Sequence, residues 1–264
     1  MSKKSVDNDF LKKYPTSKMS FLEICKEFLE KLEEGQGENF KKAGKIIGDR
    51  LMEDEVIYAV GTGGHTYMPV MDMVHRAGAL VPVNGVLDSS TSPFAGGTKS
   101  IRLERLEGYF SELIDWHQIG EDDVVIVYNN IGINNAAIEA CEASRERGAY
   151  VIGVSSVAWD EGMPKDHPIR HKSNKHISDV CDLYVDDYNP VNDSVQLIPG
   201  LETPVSPIST VTYAYIVRRI EEEAIKHMID NDFEPPVFWS GNIADGMEKN
   251  KEYEREYFHR LKIF

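Results

Sequence analysis

Two loops carry residue types able to hold a small polar ligand. In "VIYAVGTGGHTYMPV" (56–70) a short apolar run ends in Gly61-Thr62-Gly63-Gly64 and passes at once into a helix-compatible stretch. Gly61 and Gly63 have no Cβ, so backbone N–H groups can approach an anion, and the dipole of the following helix adds to the attraction. In "DDVVIVYNNIGINNAAIEACEASRERGAYVIGVSS" (122–156) a second apolar run opens into Asn129, Asn130, Asn134 and Asn135 around Gly132. Asparagine offers donors and acceptors to hydroxyls or phosphate oxygens. Helix capping accounts for Asn134 and leaves the others available. The Gly-Lys-Ser/Thr ending of a P-loop is absent, and Thr66 stands where a dinucleotide fingerprint needs its third glycine. A phosphate or a carboxylate is the implied ligand; a tight turn that binds nothing is the alternative for an isolated G-x-G.

Such loops must be held by strands. "VIYAV" (56–60), "LVPV" (80–83), "VVIVY" (124–128), "YVIGV" (150–154) and "CDLYV" (181–185) are strand candidates, alternating with helical stretches near 66–77, 101–115, 134–147 and 206–231. This alternation predicts a doubly wound parallel sheet of five strands, covered on both faces, with ligands beyond the strands' carboxyl ends. Two further helices are expected before it, 18–34 and 38–52, separated by Gly35 and Gly37. The stripe Phe21, Ile24, Cys25, Phe28, Leu29 and Leu32 is more apolar than a lone surface helix needs. Residues 160–176 and 186–207 are polar and proline-bearing and read as long loops, a setting that often carries function. The tail 247–262 reads as a charged helix.

The chain has 264 residues, 29 basic against 44 acidic, for a formal charge of −15. That charge repels nucleic acid and anionic membranes, so neither is expected as a partner. Cys25, Cys141 and Cys181 are too few and too scattered for a disulfide framework or a zinc module. The N-terminus has no apolar leader core and no run reaches membrane-spanning length, so a soluble cytoplasmic protein is expected.

The pair of loops resembles the sugar isomerase (SIS) domain family. "HRAGAL" (75–80), "RLERLEGYFSELI" (102–114), "RHKSNKHISDVCDLYVDD" (170–187), "VSPISTVTYAYIV" (205–217) and "EPPVFWSGNIADGMEKN" (234–250) are similar to a bacterial subfamily described as phosphosugar-binding or phosphoheptose-isomerase-like. The resemblance spans roughly residues 20–260. It implies an SIS-type, flavodoxin-like fold, with 1–55 as an N-terminal helical segment and 56–264 as the SIS domain with a C-terminal helical extension, together one structural unit. It also implies a homodimer, or a tetramer of dimers, with the N-terminal helices at the interface. Both loops depart from the family pattern. The first-loop serine falls among Gly64-His65-Thr66, where Thr66 can supply its hydroxyl; in the second loop Asn129 stands where the first serine is usual, and Ile131 where the second serine commonly binds phosphate. An isoleucine side chain donates no hydrogen bond, so the ligand is either unphosphorylated or held by backbone N–H groups with Ser155 and Ser156.

The implied function is that of a phosphosugar-binding protein that isomerises an aldose and a ketose through an enediol. The alternatives are a non-catalytic sugar-phosphate sensor and a related lyase. Isomerisation needs a base near the α-carbon and a donor for the developing oxyanion. The resemblance points to Glu104, in a glutamate pair with Glu107, and to His171; His65 is a third candidate. Gly61, Thr62, Gly63, Gly64, Thr66, Asn129, Asn130, Gly132, Asn134, Ser155, Ser156, Lys172 and Ser173 are the expected ligand contacts. For Glu104 the competing reading is a solvated helix face, for His171 an exposed loop histidine, and for His65 a helix cap. Asp88-Ser89-Ser90-Thr91 could bind sugar hydroxyls or form a plain turn. No cofactor is expected. A zinc ion on His167, His171 and His176 stays as an alternative, since phosphoheptose isomerases of this superfamily use one.

Overall fold

The computed structural model describes residues 8–262; residues 1–7, read above for a leader, lie outside them. The five apolar runs form one parallel sheet of β1 (Ile57–Gly61), β2 (Val83–Val86), β3 (Val124–Tyr128), β4 (Tyr150–Ser155) and β5 (Leu183–Asp186), in the order β2-β1-β3-β4-β5. Ile57 stands beside Val83 on one side and Val124 on the other, and Ile152 beside Leu183. This is the expected flavodoxin-like sheet. Its strand order reverses between β1 and β3, which opens a crevice between the two loops singled out above.

The helices are α1 (Asn8–Leu11), α2 (Phe21–Met52), α3 (Tyr67–Met73), α4 (Gly97–Leu103), α5 (Tyr109–Trp116), α6 (Asn135–Glu146), α7 (Ala158–Gly162), α8 (Ile177–Val180), α9 (Ser209–Asp230) and α10 (Gly246–Tyr257). The period-2 alternation of strand side chains sorts them into two layers. Ile57, Ala59, Ile126 and Ile152 pack with α2 and α9 through Leu32, Ile47, Tyr213 and Ile220. Tyr58, Val60, Val125 and Val151 pack with α5, α6 and α10 through Phe110, Ala137, Cys141 and Tyr257. Each fully buried side chain of this size contributes about 1.5–3 kcal/mol.

The expected break at Gly35 and Gly37 does not occur: α2 is one helix of 32 residues, opened by a Ser20–Glu23 capping box. A helical glycine costs about 1 kcal/mol relative to alanine. Tertiary packing overrides that cost, because a Cβ on Gly35 would stand 2.2 Å from Tyr188 Oη, and one on Gly44 2.5 Å from Glu223 Cβ. These glycines mark close approaches of neighbouring elements. The stripe expected at a subunit interface is covered within the chain: Ile24 and Phe28 pack against Phe10, Tyr14, Val195 and Ile208, and Leu32 joins the main core.

Three other boundaries move. Residues 78–81 pair with 236–238, as in Val81 N–H to Pro236 O at 2.8 Å, so β2 begins only at Val83. The helix expected over 101–115 divides into α4 and α5 around Gly108, which has φ +84°. The loop expected over 160–176 begins only after α7 and ends where His176 caps α8, accepting from Ser178 N at 3.1 Å while Asp179 Oδ2 accepts from His176 N at 2.9 Å. The 186–207 loop contains an antiparallel pair, β6 (Ser194–Gln196) and β7 (Val205–Pro207).

Candidate functional site

The glycine loop and the asparagine loop meet at the carboxyl end of β1 and β3. Thr62 Oγ1 donates to Tyr128 O at 2.8 Å and accepts from Asn129 Nδ2 at 2.7 Å. Asn129 Nδ2 also reaches Asn134 Oδ1 at 3.2 Å, and Asn129 Oδ1 accepts from Gly132 N at 2.6 Å. Asn134 Oδ1 caps α6 through Ala137 N at 3.0 Å. All three side chains are buried and turned toward protein partners. Their geometry shapes the loops. Thr66 does the same on the first loop, its Oγ1 donating to Gly63 O at 2.6 Å.

Glu104 lies on top of the glycine loop. The division between α4 and α5 leaves Glu104 at the end of α4, where its carbonyl accepts from Ala136 N near the start of α6 at 3.0 Å. Its side chain reaches back over Gly63 and Gly64. A Cβ on Gly63 would stand 2.8 Å from Glu104 Oε1, so the space above this glycine, expected to admit an anion, is taken by a carboxyl group. Ser100 Oγ stands 3.2 Å from Glu104 Oε1, accepts from Gly64 N at 3.2 Å and donates to Thr91 O at 2.7 Å. Burial pushes the Glu104 carboxyl up to about 7, against the Ser100 hydrogen bond and the Arg105 charge. Low-dielectric surroundings disfavour the charged form, and a carboxyl poised near neutrality is suited to proton transfer.

The imidazoles take separate places. His65 follows the Gly63–Gly64 turn and is exposed; its Nε2 is 3.1 Å from Ser209 Oγ at the start of α9. Surrounding protein holds its pKa below the usual value, with Asp193 opposing. His171 is buried against the second loop, its backbone N–H donating to Ile133 O at 2.7 Å and its ring Nδ1 2.8 Å from Ser173 Oγ. Lys172 and Ser173 are exposed, and Lys172 is ion-paired with Glu107.

Further along the sheet edge, Ser155 Oγ is 3.1 Å from Nε2 of the fully buried His176. Ser156 Oγ donates to Asn189 O at 2.5 Å, and Asn189 Nδ2 donates to Asn130 Oδ1 at 3.1 Å. The zinc alternative finds no geometry. His167 Nδ1 accepts from Ile169 N at 3.3 Å, His171 faces Ser173 and His176 faces Ser155. Among the described residues no group of three His, Cys, Asp or Glu side chains is placed to hold a metal ion.

Asp88 forms a turn, its Oδ1 accepting from Ser90 N at 2.9 Å, with Tyr109 Oη on Oδ2. An open groove of about 920 Å³ runs from there between β2 and α5 along Trp116, His117 and Lys262, and contains neither Glu104 nor the glycine loop. Sequence reasoning missed Ser100, Asn189, Asp193 and Ser209. Each is a common polar residue whose part depends on what folding brings beside it; Ser209 alone lies in a stretch quoted for its resemblance.

A parallel sheet in this order, with polar loops gathered over the β1–β3 crevice, defines a class of small-ligand α/β proteins. The chain belongs to the SIS domain family, whose model matches residues 20–156. It is similar to a UPF0309 protein of Geobacillus kaustophilus, 30% identical over 92% of this chain and 95% of the relative. A UPF0309 protein of Halalkalibacterium halodurans is also 30% identical, over 92% and 96%. Among solved structures, phosphoheptose isomerase GmhA of Neisseria gonorrhoeae superposes with a TM-score of 0.48 at 16% identity, covering 78% of this chain and 94% of that one. A phosphoheptose isomerase of Francisella tularensis gives 0.46 at 11% identity, covering 78% and 95%. No helix among the described residues is long and apolar enough to cross a membrane.

Proposed function

We propose that this protein interconverts an aldose and a ketose, as the free sugar or its phosphate, through an enediol, with Glu104 as the base. One observation carries the reading: a carboxyl with a pKa of about 7 lies directly over the glycine turn at the switch point of the sheet. Membership of the SIS domain family supports a sugar as the ligand. In this reading the sugar lies along Gly61–Thr66 and the 129–134 loop. Asn130 reaches its hydroxyls, Lys172 and Ser173 stand at the rim, and the fully buried Ser155 and Ser156, held by His176 and Asn189, support the loop from beneath. Glu104 moves the hydrogen from C2 to C1.

The test is exchange of the C2 hydrogen into D₂O over a panel of aldoses and ketoses with and without phosphate, alongside Glu104→Gln. Exchange that depends on Glu104 is expected. Sugar binding with no exchange in any member would leave a non-catalytic binding module and overturn the isomerase.

A further inference from the structure

An isomerase must move a second proton, between the two oxygens, and two histidines compete for that task. Resting on the proposed function, we propose that His65 is the oxygen-to-oxygen proton carrier, with Ser209 and Asp193 as positioning residues that fix its tautomer. Asp193 grips the first residue of α9 twice: Ser209 N donates to Oδ1 at 2.9 Å and Ser209 Oγ to Oδ2 at 2.6 Å. An ionised carboxylate only accepts, so the single hydroxyl hydrogen of Ser209 is committed to Asp193. What Ser209 Oγ then offers His65 Nε2, at 3.1 Å, is a lone pair. His65 Nε2 must therefore carry the hydrogen, and Nδ1 is left as the acceptor. Ser209 is fully buried, so water does not replace it in this chain. Asp193 is the charged group facing the imidazole, and the Tyr213 ring lies beside it with centroids 6.4 Å apart.

The placement favours His65 over His171. His65 directly follows the turn on which Glu104 rests, whereas His171 is buried against the second loop with its Nδ1 directed to Ser173. The proton count balances. As Glu104 carries hydrogen from C2 to C1, His65 Nδ1 takes the O2 hydrogen and delivers it to O1. Both groups end the cycle as they began.

Nitrogen NMR of the full-length protein reads the tautomer without requiring activity. The wild type should show His65 protonated at Nε2. Asp193→Asn should erase that preference and lower the His65 pKa, since Asp193 raises it, moving the corresponding limb of the rate profile to lower pH. Its kcat should fall, by up to the roughly 10²–10⁴-fold that a positioned acid–base group contributes, with KM little changed. Ser209→Ala should erase the tautomer preference and lower kcat in the same way, and it carries the test if Asp193→Asn fails to fold; Ser209→Thr should restore both. A wild-type His65 protonated at Nδ1, or full turnover in both Asp193→Asn and Ser209→Ala, overturns the assignment alone. An intact Nε2–H tautomer with no sugar turned over overturns the proposed function, and His65's task with it.

Discussion

Glu104 Cγ lies 2.7 Å from where a Cβ on Gly63 would stand, so the backbone of one loop and the side chain of another element share one space. Gly63 also has φ +105°, a conformation other residues resist. Gly63→Ala should displace Glu104 and strain the turn together. A misplacement of about 1 Å costs on the order of 10²-fold in rate, so kcat should fall at least that far in a protein that still binds sugar. Steady-state kinetics beside binding measurements check this; unchanged kcat would separate Glu104 from the chemistry.

The raised pKa of Glu104 has a second consequence. Burial lifts it from an ordinary 4.5 to about 7, so the folded state resists the charged form. Stability is therefore lost as pH rises from about 4.5 through about 7, and the loss is complete above that. Glu104→Gln removes the liability. It should match the wild type near pH 4 and exceed it by about 1–3 kcal/mol at pH 8, while turnover falls by about 10²–10⁴-fold. Urea unfolding at the two pH values is the measurement. A variant less stable than wild type at pH 8 would mean that Glu104 is ionised and satisfied in the fold.

Gly132 is crowded by the sheet edge. It has φ +62°, and a Cβ there would stand 2.5 Å from His176 Nε2 and 2.6 Å from Ser155 Oγ. Gly132→Ala should cost about 2–4 kcal/mol, from backbone strain and overpacking together. His176→Ala in the same chain should return part of that loss, because it vacates the contested space. A purely additive double mutant would show that the clash relaxes elsewhere.

The central strands were legible because runs such as Val124–Tyr128 and Val151–Val154 are buried on both faces and so continuously apolar. The edge strand was not. Val81 is as apolar as Val83, yet it pairs with Pro236 outside the sheet, a long-range choice that no local pattern records. At the site, glycines and asparagines announced the loops by type, and Glu104 through its resemblance. The fate of Asn129 was hidden: a buried asparagine with all its polar atoms turned to Thr62, Asn134 and Gly132 reads in sequence like a ligand contact. Ser100, Ser209 and Asp193 were hidden for the converse reason. A hydroxyl becomes informative only when its single hydrogen has two claimants.

Gly35 and Gly37 suggested a helix break, and the structure gives them opposite characters inside one continuous α2. A Cβ on Gly35 would meet Tyr188 Oη at 2.2 Å, and Tyr188 Oη also accepts from Gln36 Nε2 at 2.7 Å, which limits how far the ring can retreat. At Gly37 the nearest atom within reach is Glu33 Oε1 at 3.8 Å, an ordinary contact with a movable side chain. Gly37→Ala should therefore stabilise the protein by about 0.4–1 kcal/mol, by restricting the unfolded chain at no cost to packing. Gly35→Ala gains the same restriction but should be net destabilising by about 1–3 kcal/mol, since Tyr188 must leave its place. Thermal unfolding of the two single variants gives shifts of opposite sign. Two stabilising shifts would show that Tyr188 moves freely; two destabilising shifts would place α2 under a constraint at Gly37 that its open surroundings do not suggest.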